Sequence, residues 1–416
     1  MSKIINQLKK GSILLLGFGA EGRDTLDFLK SRFPNKKIGV ADKKQKDIDR
    51  AGVRAHFGDD YISSIKEYDV IIKSPGVPFS LIKNKIKNKI ITSQTDIFLS
   101  KRSFDTIGVT GTKGKSTTCL CIYNILKKQL DKDVYLLGNI GEPVLDYINK
   151  EGLFIYELSS FQLQTTTVSP RVAIFLNLFK DHLDQHASFR EYINSKVNIF
   201  KYQSESDILI YNEDDLRVSE LVSKTESKKI PFSSELKISG TPVYLEPILE
   251  AAKLFNVKKR IAQDCIDDVD FLPHRMEDCG TYEGVKFIND SAATIPEAVV
   301  EAIDSLDGLK TLIAGGVDKG GDYRKLAKKI AKSNVETLIL FPDTGEKIKK
   351  DLRKITDDLP EIIDSESMNH AVRAAYKKTD NGTCLMSPAS SSFNMFSSYK
   401  HRGNEFRKYV KKYGKE

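Results

Sequence analysis

Residues 108–118 read Gly-Val-Thr-Gly-Thr-Lys-Gly-Lys-Ser-Thr-Thr, and this short run constrains the chain more than anything else in it. Upstream, Asp105–Val109 reads as a short buried strand. Downstream, Cys119, Ile122 and Leu126, with Cys121 and Ile125 beside them, make one apolar face at helical spacing. A glycine-rich turn between a strand and a helix aims backbone N–H groups and the positive helix end at one point, where a phosphate sits. Gly111, Thr112, Lys113 and Gly114 form that turn, Lys115 adds a cation for the β/γ-phosphates, and Ser116 with Thr117 opens the helix. The Ser116 hydroxyl is placed for Mg²⁺. The general P-loop pattern has glycine where Val109 stands, so the match is not strict. The reading is an ATP site.

A strand–loop–helix of this kind belongs to parallel α/β sheets, and the rest of the chain agrees. Apolar runs of four to seven residues alternate with amphipathic runs nearly end to end. The 416 residues exceed one core and predict several domains. Three blocks are expected. Residues 1–98 hold strand-like Ile13–Leu16, Lys37–Ala41, Val70–Lys73 and Ile90–Thr92. Residues 99–271 hold the P-loop strand, Val134–Leu137, Phe154–Glu157 and Val172–Leu178. Residues 272–416 hold Val285–Ile288, Thr311–Ala314, Thr337–Phe341 and Thr383–Met386.

Composition narrows the class. No stretch approaches the roughly 18 apolar residues of a membrane span. The N-terminus, Met1-Ser-Lys-Ile-Ile-Asn, lacks an apolar signal core, so no membrane association or secretion is expected. Five cysteines (Cys119, Cys121, Cys265, Cys279, Cys384) are odd in number and lack metal-ligand spacing, which fits reduced thiols in a cytoplasmic protein. The net charge of +8 is spread along the chain rather than clustered, so no nucleic acid is expected; anionic small substrates or a merely basic proteome explain it equally well.

Three groups of residues carry chemistry. The first block opens on a strand followed by Gly17-Phe18-Gly19-Ala20-Glu21-Gly22 and a helix-like run to about Phe33, with Asp42 after a second strand. That is a Rossmann-type glycine fingerprint: a diphosphate on the helix N-terminus and Asp42 near a sugar hydroxyl. The bland alternative is a tight turn with no ligand. A dehydrogenase is the default inference from such a turn, but nothing nearby supplies hydride chemistry and a second nucleotide site follows. Ser74-Pro75-Gly76-Val77-Pro78 makes another glycine turn at the same sheet edge.

In the second block Glu157 ends an apolar strand, where a P-loop protein keeps a Mg²⁺ ligand. After the next strand come Asn177 and Asp181-His182-Leu183-Asp184, with His182 open to being a metal ligand or a solvated loop histidine. Lys196 follows on a helix and by itself reads as one surface lysine among many. In the third block Asn289-Asp290-Ser291, Gly315–Lys319 and Ser387-Pro388-Ala389 all terminate strands, which points to a crevice at one sheet edge. Arg275 at the entrance of that block is able to reach phosphates.

These residues, in this order, resemble the Mur ligases, the ATP-dependent amino-acid ligases that build the peptide stem of peptidoglycan. The Glu157-Leu-Ser-Ser-Phe-Gln162 run and the late Ser387-Pro-Ala-Ser390 with Arg402-Gly-Asn-Glu-Phe406 resemble the branch that adds D-glutamate. The resemblance implies a Rossmann-like N-terminal domain, a central P-loop ATPase-type domain and a C-terminal Rossmann-like α/β domain. It implies UDP-N-acetylmuramoyl-L-alanine and D-glutamate as substrates and a monomer as the working form. Gly17, Gly19, Ala20, Glu21, Gly22, Asp42, Lys43 and Gly76 would then hold the UDP part, and Asn139 the substrate near its reacting end. Gly111 through Thr117 would hold ATP, with Arg275 and Asp290 reaching it. One Mg²⁺ would sit on Ser116 and Glu157, and a second on His182 and a carbamylated Lys196. Carbamylation turns a repelling ammonium into an anionic oxygen ligand. Thr294, Lys319 and Ser392 would line the amino-acid site, with the ring of Tyr399 nearby. The catalytic set is Lys115, His182 and Lys196.

Two departures from the family pattern stand out. Ala292 occupies the place of a lysine expected to pair with a glutamate carboxylate, and the residues expected beside adenine are replaced around Pro242–Glu246. A ligase for another amino acid or acceptor, including the folylpolyglutamate type, would keep the P-loop but not the first block's UDP features. A non-catalytic nucleotide-binding scaffold would be expected to lose Lys115, Glu157 or His182, and all three are present.

Overall fold

The computed structural model describes residues 3–48, 51–138, 144–181, 185–233, 245–267, 273–318 and 321–414. Three sheets organise them. The first contains β1 (Ile13–Leu16), β2 (Ile38–Asp42), β3 (Val53–Phe57), β4 (Val70–Lys73) and β5 (Ile90–Thr92), in the order β3-β2-β1-β4-β5. All its pairings are parallel. The central strands β1 and β4 are buried along their whole length, which is why they read as unbroken apolar runs rather than alternating ones. The strand order reverses between β1 and β4, and their carboxyl ends carry the Gly17 and Gly76 turns. That switch point is where parallel sheets open a ligand crevice.

The second sheet adds β6 (Thr106–Thr110), β7 (Val134–Gly138), β8 (Leu153–Glu157), β9 (Val172–Phe175), β10 (Ile208–Asn212) and β11 (Lys228–Phe232). Its order is β11-β10-β9-β6-β8-β7, again all parallel. The helix Lys115–Gln129 follows β6 and buries Cys119, Cys121, Ile122, Ile125 and Leu126, the face expected from spacing. All five cysteines are free and buried.

The third sheet holds β12 (Glu277–Tyr282), β13 (Val285–Asn289), β14 (Leu309–Gly316), β15 (Thr337–Asp343), β16 (Glu361–Asp364) and β17 (Gly382–Met386). Its order is β12-β13-β17-β14-β15-β16, parallel except for the β12–β13 hairpin. Mixed α/β architecture built on largely parallel sheets agrees with the expected fold class.

The first two sheets form one compact unit, residues 1–178, 182–235 and 244–269, and the third sheet belongs to another. The reason is a shared core: Leu15, Val40 and Phe98 join Phe154, Tyr156 and Phe175 in one apolar cluster. Phe98 packs edge-on to Phe154 and Tyr156 at 5.2 and 5.7 Å. Residue 98, the expected end of the first block, falls inside the helix Gln94–Arg102. Buried polar groups stitch the same seam. Asp96 accepts from Thr92 and from both N–H and hydroxyl of Thr167, and Thr95 bonds the Tyr156 hydroxyl at 2.9 Å.

Strands β3, β10, β11, β12 and β16 go beyond the expected list, and the run Val172–Leu178 leaves the ladder after Phe175. Most of the added strands are exposed or half-exposed edges with little apolar signal.

Close packing in β2 gives a stability test. A β-carbon at Gly39 would overlap the phenol of Tyr68 and lie 2.9 Å from Leu14. Gly39→Ala should therefore cost about 1–3 kcal/mol by overpacking, read as a lower urea midpoint. In a Tyr68→Leu background, where the ring is gone, the same change should cost under about 1 kcal/mol.

Candidate functional site

Strand β6 delivers the phosphate loop to the middle of the second sheet, between β8 and β9. Neighbouring strand ends close around it. Leu158 N–H donates to the Val109 carbonyl at 2.9 Å, and Leu176 N–H to that of Thr110 at 3.0 Å. Gly114 has φ +82, a left-handed turn that glycine adopts without Cβ strain, and it starts the helix at Lys115. One side chain takes up peptide N–H groups of the loop. Asn177 Oδ1 accepts from the N–H groups of Thr112 and Lys113, each at 2.9 Å, and its Nδ2 donates to the Lys113 carbonyl at 3.1 Å. Ser116 and Thr117 are buried in the first helical turn.

Two lysines converge on this loop from opposite sides. Lys115 Nζ donates to the carbonyls of Gly111 and Thr112 at 2.9 and 3.0 Å. Lys196, on the helix Phe189–Val197, is only 2% exposed, and its Nζ donates to the Gly111 carbonyl at 2.7 Å. Burial overturns the surface reading that Lys196 invites by itself. Its ammonium also lies 4.9 Å from the Tyr192 ring centroid, and the Tyr192 hydroxyl bonds Thr112 Oγ1 at 2.9 Å. Tyr192 escaped notice in the sequence, although its place one helical turn before Lys196 puts both on one face.

Glu157 ends β8 with 3% exposure, and its Oε2 has no hydrogen-bond partner among the described residues. An ionised carboxylate oxygen left bare in the interior is costly, and a divalent cation satisfies it. Glu157 and the buried Ser116 hydroxyl therefore fit a Mg²⁺ ion by their chemistry. Among the described residues no cluster of three or more His, Cys, Asp or Glu forms a closed metal cage. His182, like Asn139 and Lys319, lies outside the described residues, as do 242–244 of the adenine-side stretch. A second histidine is well defined. His186 is buried, its Nε2 contacts Ser160 Oγ at 3.0 Å, and its ring stacks on Phe161 at 4.9 Å. Burial holds its pKa below the ordinary histidine value.

In the first sheet a cavity of about 530 Å³ opens at the β1/β4 switch point. Gly17, Gly19, Ala20, Glu21, Gly22, Asp42, Lys43 and Gly76 all line it, together with Phe18, Tyr61, Ser74, Pro75 and Val77. Gly17 has φ +90, and a β-carbon there would press on Val77 and Ser74 at 2.8 and 2.9 Å. Asp42 braces the turn as well as lining it, since it accepts from the N–H of Phe18 at 2.7 Å and of Lys44 at 2.8 Å. Glu21 accepts from Gln162 Nε2 at 3.2 Å, and burial lifts its pKa to about 6.

In the other unit, the ends of β13, β17 and β14 are sewn together. Asp290 N–H donates to Met386 O, Ser387 N–H to Ile313 O and Gly315 N–H to Pro388 O, at 2.8 to 3.0 Å. Asp290 Oδ2 accepts from Ser387 Oγ at 2.7 Å. Arg402 is buried behind these loops, donating to Ser291 Oγ, Ser291 O and Ser390 O at 2.8 to 3.0 Å. Ser392 is buried, Thr294 and Tyr399 are half-buried, and the Tyr399 ring meets His274 edge-on at 6.4 Å. Ala292 donates its N–H to the His274 carbonyl at 2.9 Å. Arg275 stands between His274 and Met276, both at positive φ (68° and 49°). Two such non-glycine residues carry strain of order 1 kcal/mol or more each, which surrounding bonds must hold. His274 N–H donates to Glu277, and Asn289 Nδ2 meets His274 Nδ1 at 3.0 Å.

A P-loop with a bare buried carboxylate beside it, a Rossmann-type pocket in the same unit and a second α/β unit define a nucleotide-dependent enzyme. Comparison with known proteins makes this particular. Residues 109–258 match the Mur ligase middle domain, and residues 274–389 the Mur ligase glutamate ligase domain. A Clostridium botulinum protein (strain Kyoto / Type A2) named UDP-N-acetylmuramoylalanine--D-glutamate ligase is 31% identical, covering 98% of each chain. A Clostridium tetani protein of the same name is 31% identical over 99% of this chain and 100% of its own. The fold is shared with MurF ligase from Thermotoga maritima in complex with ADP, at TM-score 0.60 and 16% identity over 97% of both chains. MurC from the same organism aligns at TM-score 0.57 and 15% identity, covering 97% of this chain and 99% of that one. The chain belongs to the Mur ligase family.

The Asn177 clamp is directly testable. Asn177→Ala removes the side-chain acceptor shared by the Thr112 and Lys113 N–H groups, at about 1–3 kcal/mol, while Thr112 keeps its bond to the backbone carbonyl of residue 177 at 3.1 Å. ADP affinity measured by calorimetry should fall roughly ten- to a hundredfold, while UDP binding to the first-domain cavity stays at the wild-type value.

Proposed function

We propose that the chain joins D-glutamate to the alanyl carboxylate of UDP-N-acetylmuramoyl-L-alanine, with ATP cleaved to ADP and phosphate, in the cytoplasmic synthesis of peptidoglycan precursors. What carries the reading is the near full-length match to relatives bearing that ligase name, at about 30% identity. The P-loop and the first-domain cavity, lined as a diphosphate site requires, support it independently.

As chemistry, the alanyl carboxylate oxygen attacks the γ-phosphorus of ATP, and the bond to the β–γ bridging oxygen breaks to release ADP. The glutamate amine then attacks the acyl carbon of the acyl phosphate. It loses a proton, and inorganic phosphate leaves through a tetrahedral intermediate. A carboxylate approaching a triphosphate meets strong repulsion, so catalysis is largely positioning and charge neutralisation. Lys115 and the loop Gly111–Thr117 take the phosphates, with the N–H groups of Thr112 and Lys113 staying on Asn177. Lys115 exchanges its loop carbonyls for phosphate oxygens. Glu157 and Ser116 would hold one Mg²⁺, with His182 and a carbamylated Lys196 holding a second; bound Mg²⁺ neutralises charge on the triphosphate. Arg275 and Asp290 serve the nucleotide. Thr294, Lys319, Ser392 and Tyr399 serve the amino acid, and the Gly17–Gly22 turn with Asp42, Lys43, Gly76 and Asn139 serves the UDP substrate. We take the monomer as the working form.

A second reading, a Mur-type ligase for a different amino acid, is favoured by one observation: Ala292 stands where the family's D-glutamate branch has lysine. ADP release with UDP-N-acetylmuramoyl-L-alanine against a panel of D- and L-amino acids separates the two readings. D-glutamate should give the highest rate, and a higher rate with another amino acid overturns the first. In that assay Lys115→Ala should lower kcat by at least about a hundredfold and leave binding of the UDP substrate intact. Near wild-type turnover would remove the P-loop from the mechanism.

Lys196 has its own test. Lys196→Ala should lose most activity and regain part of it with added short-chain carboxylates, which occupy the carbamate's place. Native mass spectra taken in bicarbonate should carry the added CO₂ on Lys196. A fully active Lys196→Ala protein would end that assignment.

A further inference from the structure

One buried cation has no task in this mechanism. Lys73 ends β4, directly before the Ser74-Pro75-Gly76 turn that lines the first-domain cavity. It is 2% exposed, and the one hydrogen bond described for its ammonium goes to the Ser74 carbonyl at 3.2 Å. An ammonium has three donors, so two stay open in a nearly dry site. The fold alone does not require this, since an apolar side chain of similar length packs there at no desolvation cost.

The surroundings say what the charge acts on. Two carboxylates attract the Lys73 charge through space: Glu21 in the first turn of the helix Ala20–Arg32, and Glu191 in the first turn of the helix Phe189–Val197. Burial outweighs both and brings its pKa down to about 8. Each carboxylate leads to the same turn of the second sheet. Glu21 accepts from Gln162, whose Oε1 accepts from Ser159 N–H at 3.0 Å and Ser159 Oγ at 2.9 Å. Glu191 accepts from Gln164 at 2.8 Å and lies 3.8 Å from His186, which contacts Ser160. Ser159 and Ser160 follow directly on Glu157-Leu158. Lys73 thus sits between the wall of the UDP cavity and the turn that carries the candidate metal ligand.

We propose that Lys73 is a positioning residue for the UDP-linked acceptor: through Glu21 and the Ser74 turn it fixes the inner wall of the first-domain cavity relative to the Glu157–Ser160 turn. This rests on the reading that the cavity holds the UDP end and the P-loop the triphosphate. An acceptor anchored at one site and reacting at the other depends on the distance between them, and a displacement near 1 Å costs about a hundredfold in rate.

The test uses the full chain with Lys73→Met, Lys73→Gln and Lys73→Arg. Steady-state kinetics separate the substrates, and calorimetry reads UDP-N-acetylmuramoyl-L-alanine binding. Loss of the charge should lower acceptor kcat/KM about ten- to a hundredfold, keep ATP KM within about threefold, and be largely reversed in Lys73→Arg. A pH profile supplies a readout that packing alone would not move. Glu21 faces Lys73 from β4, Gln162 from the turn after β8 and Asp24 from its own helix. Of these Lys73 and Gln162 lower its pKa, and Asp24 raises it. Removing Lys73 should therefore move the acid limb of acceptor kcat/KM, set near pH 6 by Glu21, to higher pH. An unchanged acceptor kcat/KM and an unmoved limb in Lys73→Met overturn the proposal. So does an equal rise in both KM values that Lys73→Arg fails to repair. Should Lys73→Met not fold, Lys73→Gln, which keeps a donor for Ser74, decides by the same criteria. A wild-type chain that does not bind the UDP acceptor overturns the function itself, an outcome distinct from a wild type that binds and a charge-free variant that binds equally well.

Discussion

The site depends on how one amide side chain satisfies the peptide groups of a loop that cannot satisfy them itself. A loop folded around an empty centre points its N–H groups inward and has no ladder partner for them, and unpaired buried donors are expensive. Asn177 takes two of these N–H groups and returns a donor to the Lys113 carbonyl. It can do so because β9 stops pairing at Phe175, which lets the chain turn over the loop while Leu176 still bonds Thr110. The length of β9 and the shape of the phosphate loop are therefore one constraint. A strand two residues longer would carry Asn177 past the loop.

The same loop holds its cations in reserve. The Gly111 carbonyl accepts from both Lys115 and Lys196, which approach from different helices. Loop carbonyls are weaker partners for an ammonium than phosphate or metal-bound oxygens, so an incoming triphosphate gains Lys115 with little rearrangement of the protein. Preorganisation of that kind is what electrostatic catalysis requires. Glu157 provides the opposite case. Its buried Oε2 lacks any partner among the described residues, which leaves that oxygen outside their hydrogen-bond network.

Much of this was legible in the sequence, for reasons that differ by element. The phosphate loop, the Gly17 turn and the helix after β6 were readable because backbone geometry demands glycine at φ +90 and +82 and burial demands a 3.6-residue apolar repeat. Strands buried on both faces were readable as apolar runs. Edge strands were not: β3 and β16 carry mostly exposed or half-exposed residues and pair on one side only. In β10, Ile208-Leu209-Ile210 did carry a short apolar signal, bounded by Asp207 and Asn212. Buried lysines lie beyond composition altogether. Lys73 and Lys196 look like any of the chain's many lysines, and only the strand end and helix face on which they sit distinguish them. The merging of the first two blocks was equally hidden, because it depends on Phe98, Phe154 and Tyr156 meeting across a distance in sequence.

The unit built on the third sheet uses its most buried cation for architecture. Arg402 spends its donors on Ser291 and Ser390, locking the ends of β13 and β17 together, and burial lowers its pKa to about 9. A guanidinium committed in this way, with its fork geometry filled by protein oxygens, is not available to a substrate carboxylate. A lysine at position 292 is therefore not needed for the fold of this loop. The bond that fixes Ala292 is its backbone N–H to His274, which any residue other than proline makes equally well. The loop's shape is set from behind by Arg402 and beside it by the strained His274–Met276 arch. The charge carried at position 292 is thus free to vary without disturbing what holds the loop in place.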